Sequence, residues 1–294
     1  MKRPDFFIPG APKCGTTGLA QWLAAHPAVF FSPRKEPHFF NRDQMPATAT
    51  LREYEQLFAG ADDRHAAVGE ASTHYLYSRE AVPGILAYAP DARFIVCLRN
   101  PLEMAPALHG ECLRQGWENV RRFDAAWHLQ GARRAGRRIP RAARGDPERL
   151  LYGPYCRLGE QLQRLYGQVR ADRVLPVLLD DIRDDAGRMY RRVLDFLGLQ
   201  DDGRRDFPAV NPAARTRSVL LAQAIRSVSR IRDAAGVRGD WGIAARLRQL
   251  NASNAARAPL TSALREELCA YFADDVVALG ELIERDLSDW LRGD

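Results

Sequence analysis

Strands alternating with helices through about Leu197 predict an α/β fold, a parallel sheet with helices on both sides. Three observations carry this reading. The segment Arg93–Leu98 is almost continuously apolar, as a central strand buried on both faces requires. A glycine-bearing turn, Gly10–Thr17, joins a short apolar run to a helical stretch. From about Ser218 onward the pattern is wholly helical, which adds a helical C-terminal extension to the α/β core.

In chain order, Phe6-Phe7-Ile8 is a strand candidate bounded by prolines and Gly10, and Thr17 to Ala25 reads as helix. Ala28–Phe31 and Ala67–Glu70 are short strands, with helical spacing between them from Leu51 to Phe58. Ser78 to Tyr88 is helical and broken near Pro83. After Arg93–Leu98, the next buried strand is Arg173–Leu179. An amphipathic helix from about Arg183 to Leu197 stops at Gly198, and a long helix near Leu260–Leu287 closes the chain. No internal repeat and no linker rich in Gly, Ser or Pro is visible. The 294 residues therefore read as a single domain, with an α/β core over 1–217 and the extension over 218–294.

Composition narrows the function classes. Hydrophobic residues make up 46% and charged residues 27%, which excludes a disordered, collagen-like or coiled-coil chain. No apolar run reaches the ~18–20 residues that span a bilayer, and no secretory signal is read at the N-terminus, so a cytoplasmic protein is expected. Five cysteines without a C-x-x-C pair read as reduced thiols, with no disulfide frame and no metal site. The net charge of +6, from 43 basic and 37 acidic residues, does not imply nucleic acid but suits an anionic ligand. Only Lys2, Lys13 and Lys35 are lysines; every other cationic side chain of that count is arginine. Two of the three fall in the motifs below.

The turn Gly10-Ala11-Pro12-Lys13-Cys14-Gly15-Thr16-Thr17 exposes backbone N–H groups and the positive end of a helix dipole, which together make an anion site. It nearly fits the nucleotide-triphosphate loop, but Thr16 stands where that motif has lysine, and Lys13 lies within the turn. The central sheet is thus P-loop-like. A nucleotide kinase also needs an acidic residue at a strand end to hold Mg²⁺. The best candidate strand instead runs into Arg99-Asn100-Pro101, and arginine grips phosphate but cannot ligate a metal. Two cationic sites at neighbouring strand tips suggest a ligand with two separate phosphate-type groups.

These residues, with His26-Pro27, Lys35-Glu36-Pro37-His38-Phe39-Phe40 and Leu98-Arg99-Asn100-Pro101 in that order, resemble sulfotransferases that use 3′-phosphoadenosine 5′-phosphosulfate (PAPS). The branch resembled includes the heparan sulfate sulfotransferases and many bacterial relatives. The motifs span roughly residues 5–110, and a weaker likeness continues through Phe196-Leu197-Gly198-Leu199 to Arg217-Ser218. The resemblance implies that Lys13, Cys14, Gly15, Thr16, Thr17 and Gly18 hold the 5′-phosphosulfate, with Lys13 near the bridging oxygen. It implies that Arg99 binds the 3′-phosphate. Ala107 stands where the family carries a serine that shares this phosphate, and Arg217, with Arg215, resembles the family's late basic segment.

An acceptor hydroxyl needs a base. Glu70, followed five residues later by Tyr75, matches a similar Glu–Tyr spacing in glycosaminoglycan sulfotransferases and is the expected base. Many of those enzymes carry lysine directly after this glutamate, where this chain has Ala71. His74 and His38 are the rival bases, and Lys35 either reaches the sulfuryl group or pairs with Glu36. His26 reads as structural, and no spacing rule assigns His109. Arg133–Arg144, with six arginines, reads as a solvated basic loop or as a flap for an acidic acceptor. The alternatives to a PAPS-dependent sulfotransferase are a small-molecule kinase and a catalytically degenerate nucleotide-binding module. The acceptor is a small molecule or glycan whose pocket loops are expected at 41–66, 110–150 and 233–258, with Trp117, Trp127 and Trp241 as stacking candidates or core.

Overall fold

The computed structural model describes residues 2–44, 50–208, 215–234, 243–253 and 259–292. The chain forms two compact units. The first comprises residues 1–100, 158–210 and 275–288; the second comprises 101–157, 211–274 and 289–294.

The first unit is built on a five-stranded sheet with every pair parallel. In chain order its strands are β1 (Phe6–Gly10), β2 (Val29–Phe31), β3 (Ala67–Ala71), β4 (Arg93–Leu98) and β5 (Val174–Leu178), and in space they run β2-β3-β1-β4-β5. Burial explains the apolar runs. Phe6, Phe7 and Ile8 in β1 and Phe94 through Leu98 in β4 are completely covered. Phe7 stacks on Phe94 with ring centroids 6.0 Å apart and meets Phe40 edge-on at 6.2 Å. The expected strands are all present, within one or two residues at their ends.

Because every strand is parallel, all five carboxyl ends lie on one edge. The loops that leave β1, β2, β3 and β4 there carry Lys13, Lys35, Ser72 to Tyr75, and Arg99. That edge is where open α/β sheets bind ligands.

Three expectations need correction. The helix expected over 183–197 is two helices, Leu179–Asp184 and Ala186–Leu197. Asp185 separates them because its carboxylate caps the second, accepting from the Arg188 N–H at 2.8 Å. The C-terminal region is not wholly helical. Its helices Val219–Ala234, Ile243–Leu250 and Ser262–Leu282 are accompanied by a two-residue antiparallel pairing of Arg215–Thr216 with Ala252–Ser253. Nor is the whole basic segment solvated. Within the second unit Arg133 is buried and pairs with Glu118, Nη1 to Oε2 at 2.7 Å, while Tyr152 donates to the same carboxylate at 2.7 Å. Arg134, Arg137, Arg138, Arg141 and Arg144 are exposed.

Gly10 ends β1 at φ +152°, and a Cβ there would lie 2.8 Å from the Thr73 carbonyl oxygen. Gly10→Ala combines this clash with a disfavoured backbone angle. Thermal unfolding should show a loss of at least ~2 kcal/mol; an unchanged midpoint would contradict the close approach.

Candidate active site

Helix α1 (Thr16–Ala24) starts directly from the β1 loop, and Gly15 caps it in a left-handed conformation at φ 88°. Glycine takes that angle without a Cβ penalty. The first-turn N–H groups of a helix have no partners within the helix, so this turn has the shape of a cradle for an anion. Thr16 is buried and Thr17 half-buried at its mouth.

Two cations join the cradle from other strand tips. Arg99, one residue beyond β4, donates from Nη1 to the Lys13 carbonyl at 2.9 Å, which ties the β4 tip to the β1 loop. Lys35, four residues beyond β2, donates from Nζ to Thr17 Oγ1 at 2.6 Å. Lys13 and Arg99, inferred separately from sequence, therefore belong to one place. Cys14 lies beneath the loop, and burial pushes its thiol up to about 12, so it stays neutral. None of the five cysteines is in a disulfide.

Glu70 is completely buried. Its Oε1 accepts from the hydroxyls of Tyr54 at 3.1 Å and Tyr75 at 3.0 Å, and its Oε2 accepts from Ser72 Oγ at 2.7 Å. Two of these hydroxyl oxygens accept in turn from the segment after β2. The His38 N–H donates to Ser72 Oγ at 3.1 Å, and the Phe39 N–H donates to Tyr75 OH at 2.9 Å. Since each hydroxyl commits its hydrogen to Glu70, its lone pairs face the backbone of 38 and 39. The Glu36 N–H adds a bond to the Ala71 carbonyl at 3.0 Å. The carboxylate thus fixes the segment Lys35–Phe40 through two intermediaries.

That segment is bent hard. Among the described residues five non-glycines have positive φ, and three of them are Lys13, Glu36 at 57° and His38 at 53°. Backbone strain of this kind persists only where surroundings over-determine it, and it gathers at functional sites. The bend turns Phe39 and Phe40 into the core, where Phe39 stacks on Tyr54 at 4.5 Å. It leaves Glu36 and Lys35 with side chains 27% and 48% exposed.

Glu36 sits among polar groups on both oxygens. Lys35 Nζ lies 3.6 Å from Oε1; His38 Nε2 lies 3.1 Å and Thr73 Oγ1 3.3 Å from Oε2. Burial acts to raise its pKa, but the hydrogen bond and charge of His38, then Lys35, outweigh it and hold the carboxyl below its usual range. From sequence Glu36 reads only as a partner for Lys35. Its spacing gives no signal, because the left-handed angles on either side of Pro37 decide which way it points.

The remaining candidates are structural or belong to the second unit. His26 bonds the Gln200 carbonyl at 3.0 Å and accepts from the Ala28 N–H, a structural role as expected. In the second unit, His109 bonds the Val120 carbonyl at 2.8 Å, Ala107 is fully buried, and Trp127 donates to Glu267 at 2.8 Å. Trp117 lies against the guanidinium groups of Arg149 and Arg226. Arg217 is exposed there, its N–H bonded to the Asn251 carbonyl. The Arg215 side chain, Trp241 and much of the expected 233–258 loop lie outside the described residues.

No protein-family model matches the chain. It is 32% identical over 143 aligned positions to carbohydrate sulfotransferase 15 of Homo sapiens, covering 34% of this chain and 26% of that protein. It is 34% identical over 110 positions to human heparan sulfate glucosamine 3-O-sulfotransferase 6, covering 37% and 31%. The chain thus spans between a quarter and a third of the length of these curated relatives. Among solved structures, a sulfotransferase from Alicyclobacillus acidocaldarius matches with TM-score 0.74 and 25% identity over 99% of this chain and all of that one. A sulfotransferase domain from the curacin biosynthetic pathway, at TM-score 0.50 and 13% identity, shares the fold. The architecture is the sulfotransferase fold, a P-loop-type parallel sheet flanked by helices. Over about a third of its length in sequence, and over nearly all of it in fold, the chain is similar to sulfotransferases.

Burial raises the Glu70 carboxyl to about 7 from an ordinary 4.5. A carboxyl raised on folding contributes its full stability below the unfolded pKa and loses it as pH climbs through the folded one. The stability of the wild type relative to Glu70→Gln should therefore fall between about pH 4.5 and 7, by on the order of 3 kcal/mol. A flat difference across denaturant melts at those pH values would contradict the burial of this group.

Proposed function

We propose that the protein transfers a sulfuryl group from PAPS to a hydroxyl or amine of a small-molecule or glycan acceptor. The observation that carries the reading is the bond from Arg99 to the Lys13 carbonyl, with Lys35 on Thr17 beside it, because it brings two cationic side chains to one helix N-terminus, against the loop that carries Lys13. An anion with two separate charged groups fits such a cradle, and a carboxylate at the tip of β4 would be needed to favour a metal-nucleotide instead. The likeness to sulfotransferases lends no support to the kinase alternative.

PAPS supplies an activated sulfuryl group when bound. On this reading the loop Lys13–Gly18 holds its 5′ side and Arg99 its 3′-phosphate, while Lys13 and Lys35 offset the charge that develops on the leaving oxygen. Arg217 is a further donor contact proposed from the resemblance. Orientation and fixed cations do the remaining work, since the sulfuryl group carries fewer anionic oxygens than a phosphoryl group.

For the base, we assign Glu36 rather than Glu70. A general base must come within hydrogen-bond reach of the acceptor's proton. Glu70 is enclosed by three hydroxyl donors, whereas Glu36 is partly open beside Lys35 and stays ionised at neutral pH. His38 and Thr73 orient its Oε2, and Glu70 positions the segment that presents it.

Calorimetry with adenosine 3′,5′-bisphosphate should show one site in the presence of chelator. Lys13→Ala and Arg99→Ala should each weaken it at least ~10-fold, about 1.4 kcal/mol or more. Incubation with PAPS and an acceptor panel should give a product heavier by one SO3. No bisphosphate binding and no mass gain across the panel would reject the reading.

A further inference from the structure

The carboxylate assigned as base has two imidazoles next to it. One ligand atom each from Glu36, His38 and His74 lies within 4.8 Å of the others. A tetrahedral zinc ion with nitrogen and oxygen ligands at about 2.1 Å holds its donors about 3.4 Å apart, so small side-chain rotations bring this set into range. Two imidazoles with a carboxylate suit zinc and other first-row divalent metals; magnesium and calcium prefer oxygen alone.

A second observation comes from His38. Its Nε2 lies 3.1 Å from Glu36 Oε2, so the nitrogen that would share an ion with this carboxylate already points at it. The two rings also lie close, with centroids 5.2 Å apart and tilted by 63°. The backbone at Glu36 and His38 is held in left-handed angles, and His74 follows directly from the Ser72–Thr73 turn that anchors them. These donors are therefore presented by constrained backbone on two neighbouring strand tips, β2 and β3.

We infer that Glu36, His38 and His74 form a site for one divalent transition-metal ion of the zinc type, and that its occupancy silences sulfuryl transfer by removing the base. The second half rests on the assignment of Glu36 above. Three protein ligands leave a fourth position for water or an acceptor oxygen. Coordination to a divalent cation offsets the carboxylate charge and lowers its basicity, so it is a far poorer proton acceptor. Lys35, 3.6 Å from the other Glu36 oxygen, opposes a second positive charge, which makes the occupancy reversible by chelator.

The test is calorimetric titration of the purified full chain with ZnCl2, with MgCl2 as the control. One zinc per chain and no magnesium binding are expected. His74→Ala and His38→Ala should each lower zinc affinity at least ~10-fold, with circular dichroism confirming that the variants fold. Should either variant misfold, the visible absorption of wild type loaded with Co²⁺ reports whether nitrogen ligands surround the ion. Turnover of the wild type should fall in proportion to zinc occupancy and return on chelation. Absent binding, binding unaltered in both histidine variants, or turnover untouched at full occupancy overturns the inference. Failure of the sulfotransferase reading itself is seen separately, as absent transfer without added zinc.

Discussion

The buried Glu70 carboxylate is the constraint on which the rest of the site depends. Without an acceptor there, the hydroxyls of Ser72 and Tyr75 have no fixed direction, and their lone pairs are not reserved for the backbone of His38 and Phe39. Burying an ionisable group is costly unless it is well hydrogen-bonded. Three hydroxyl donors meet that condition, and the residual penalty appears as the upward shift to about 7. The return is a sharply bent segment that sends two aromatics into the core and leaves a lysine and a glutamate at the surface.

Parallel topology does the rest of the positioning. Strand tips from β1, β2, β3 and β4 converge on one edge because every crossover returns the chain in the same direction. The scarcity of lysine makes the outcome conspicuous. Lys2 bonds the His65 carbonyl, whereas Lys13 lies in the cradle and Lys35 reaches Thr17.

Much of this is legible in the amino-acid order. Continuous apolar runs identify β1 and β4, because a strand covered on both faces admits little else. The loop after β1 and the arginine after β4 pair through their common position past a strand end. Glu70 stands out as well, but its role does not, since sequence does not tell that Tyr54 and Tyr75 close over it. Glu36 escapes notice for the complementary reason: its exposure follows from left-handed angles at two non-glycine residues, which no composition signals. Arg133 reads as solvated because its partner Glu118, fifteen residues away, is brought to it only by folding.

The most direct measurement compares steady-state turnover and donor binding in Glu36→Gln and Glu70→Gln. With Glu36 as the base, Glu36→Gln should lose at least ~100-fold in kcat with donor affinity retained, and Glu70→Gln far less, since an amide still accepts from two of the hydroxyls. Near-normal turnover in Glu36→Gln, with collapse in a folded Glu70→Gln, would contradict the assignment of Glu36 as base.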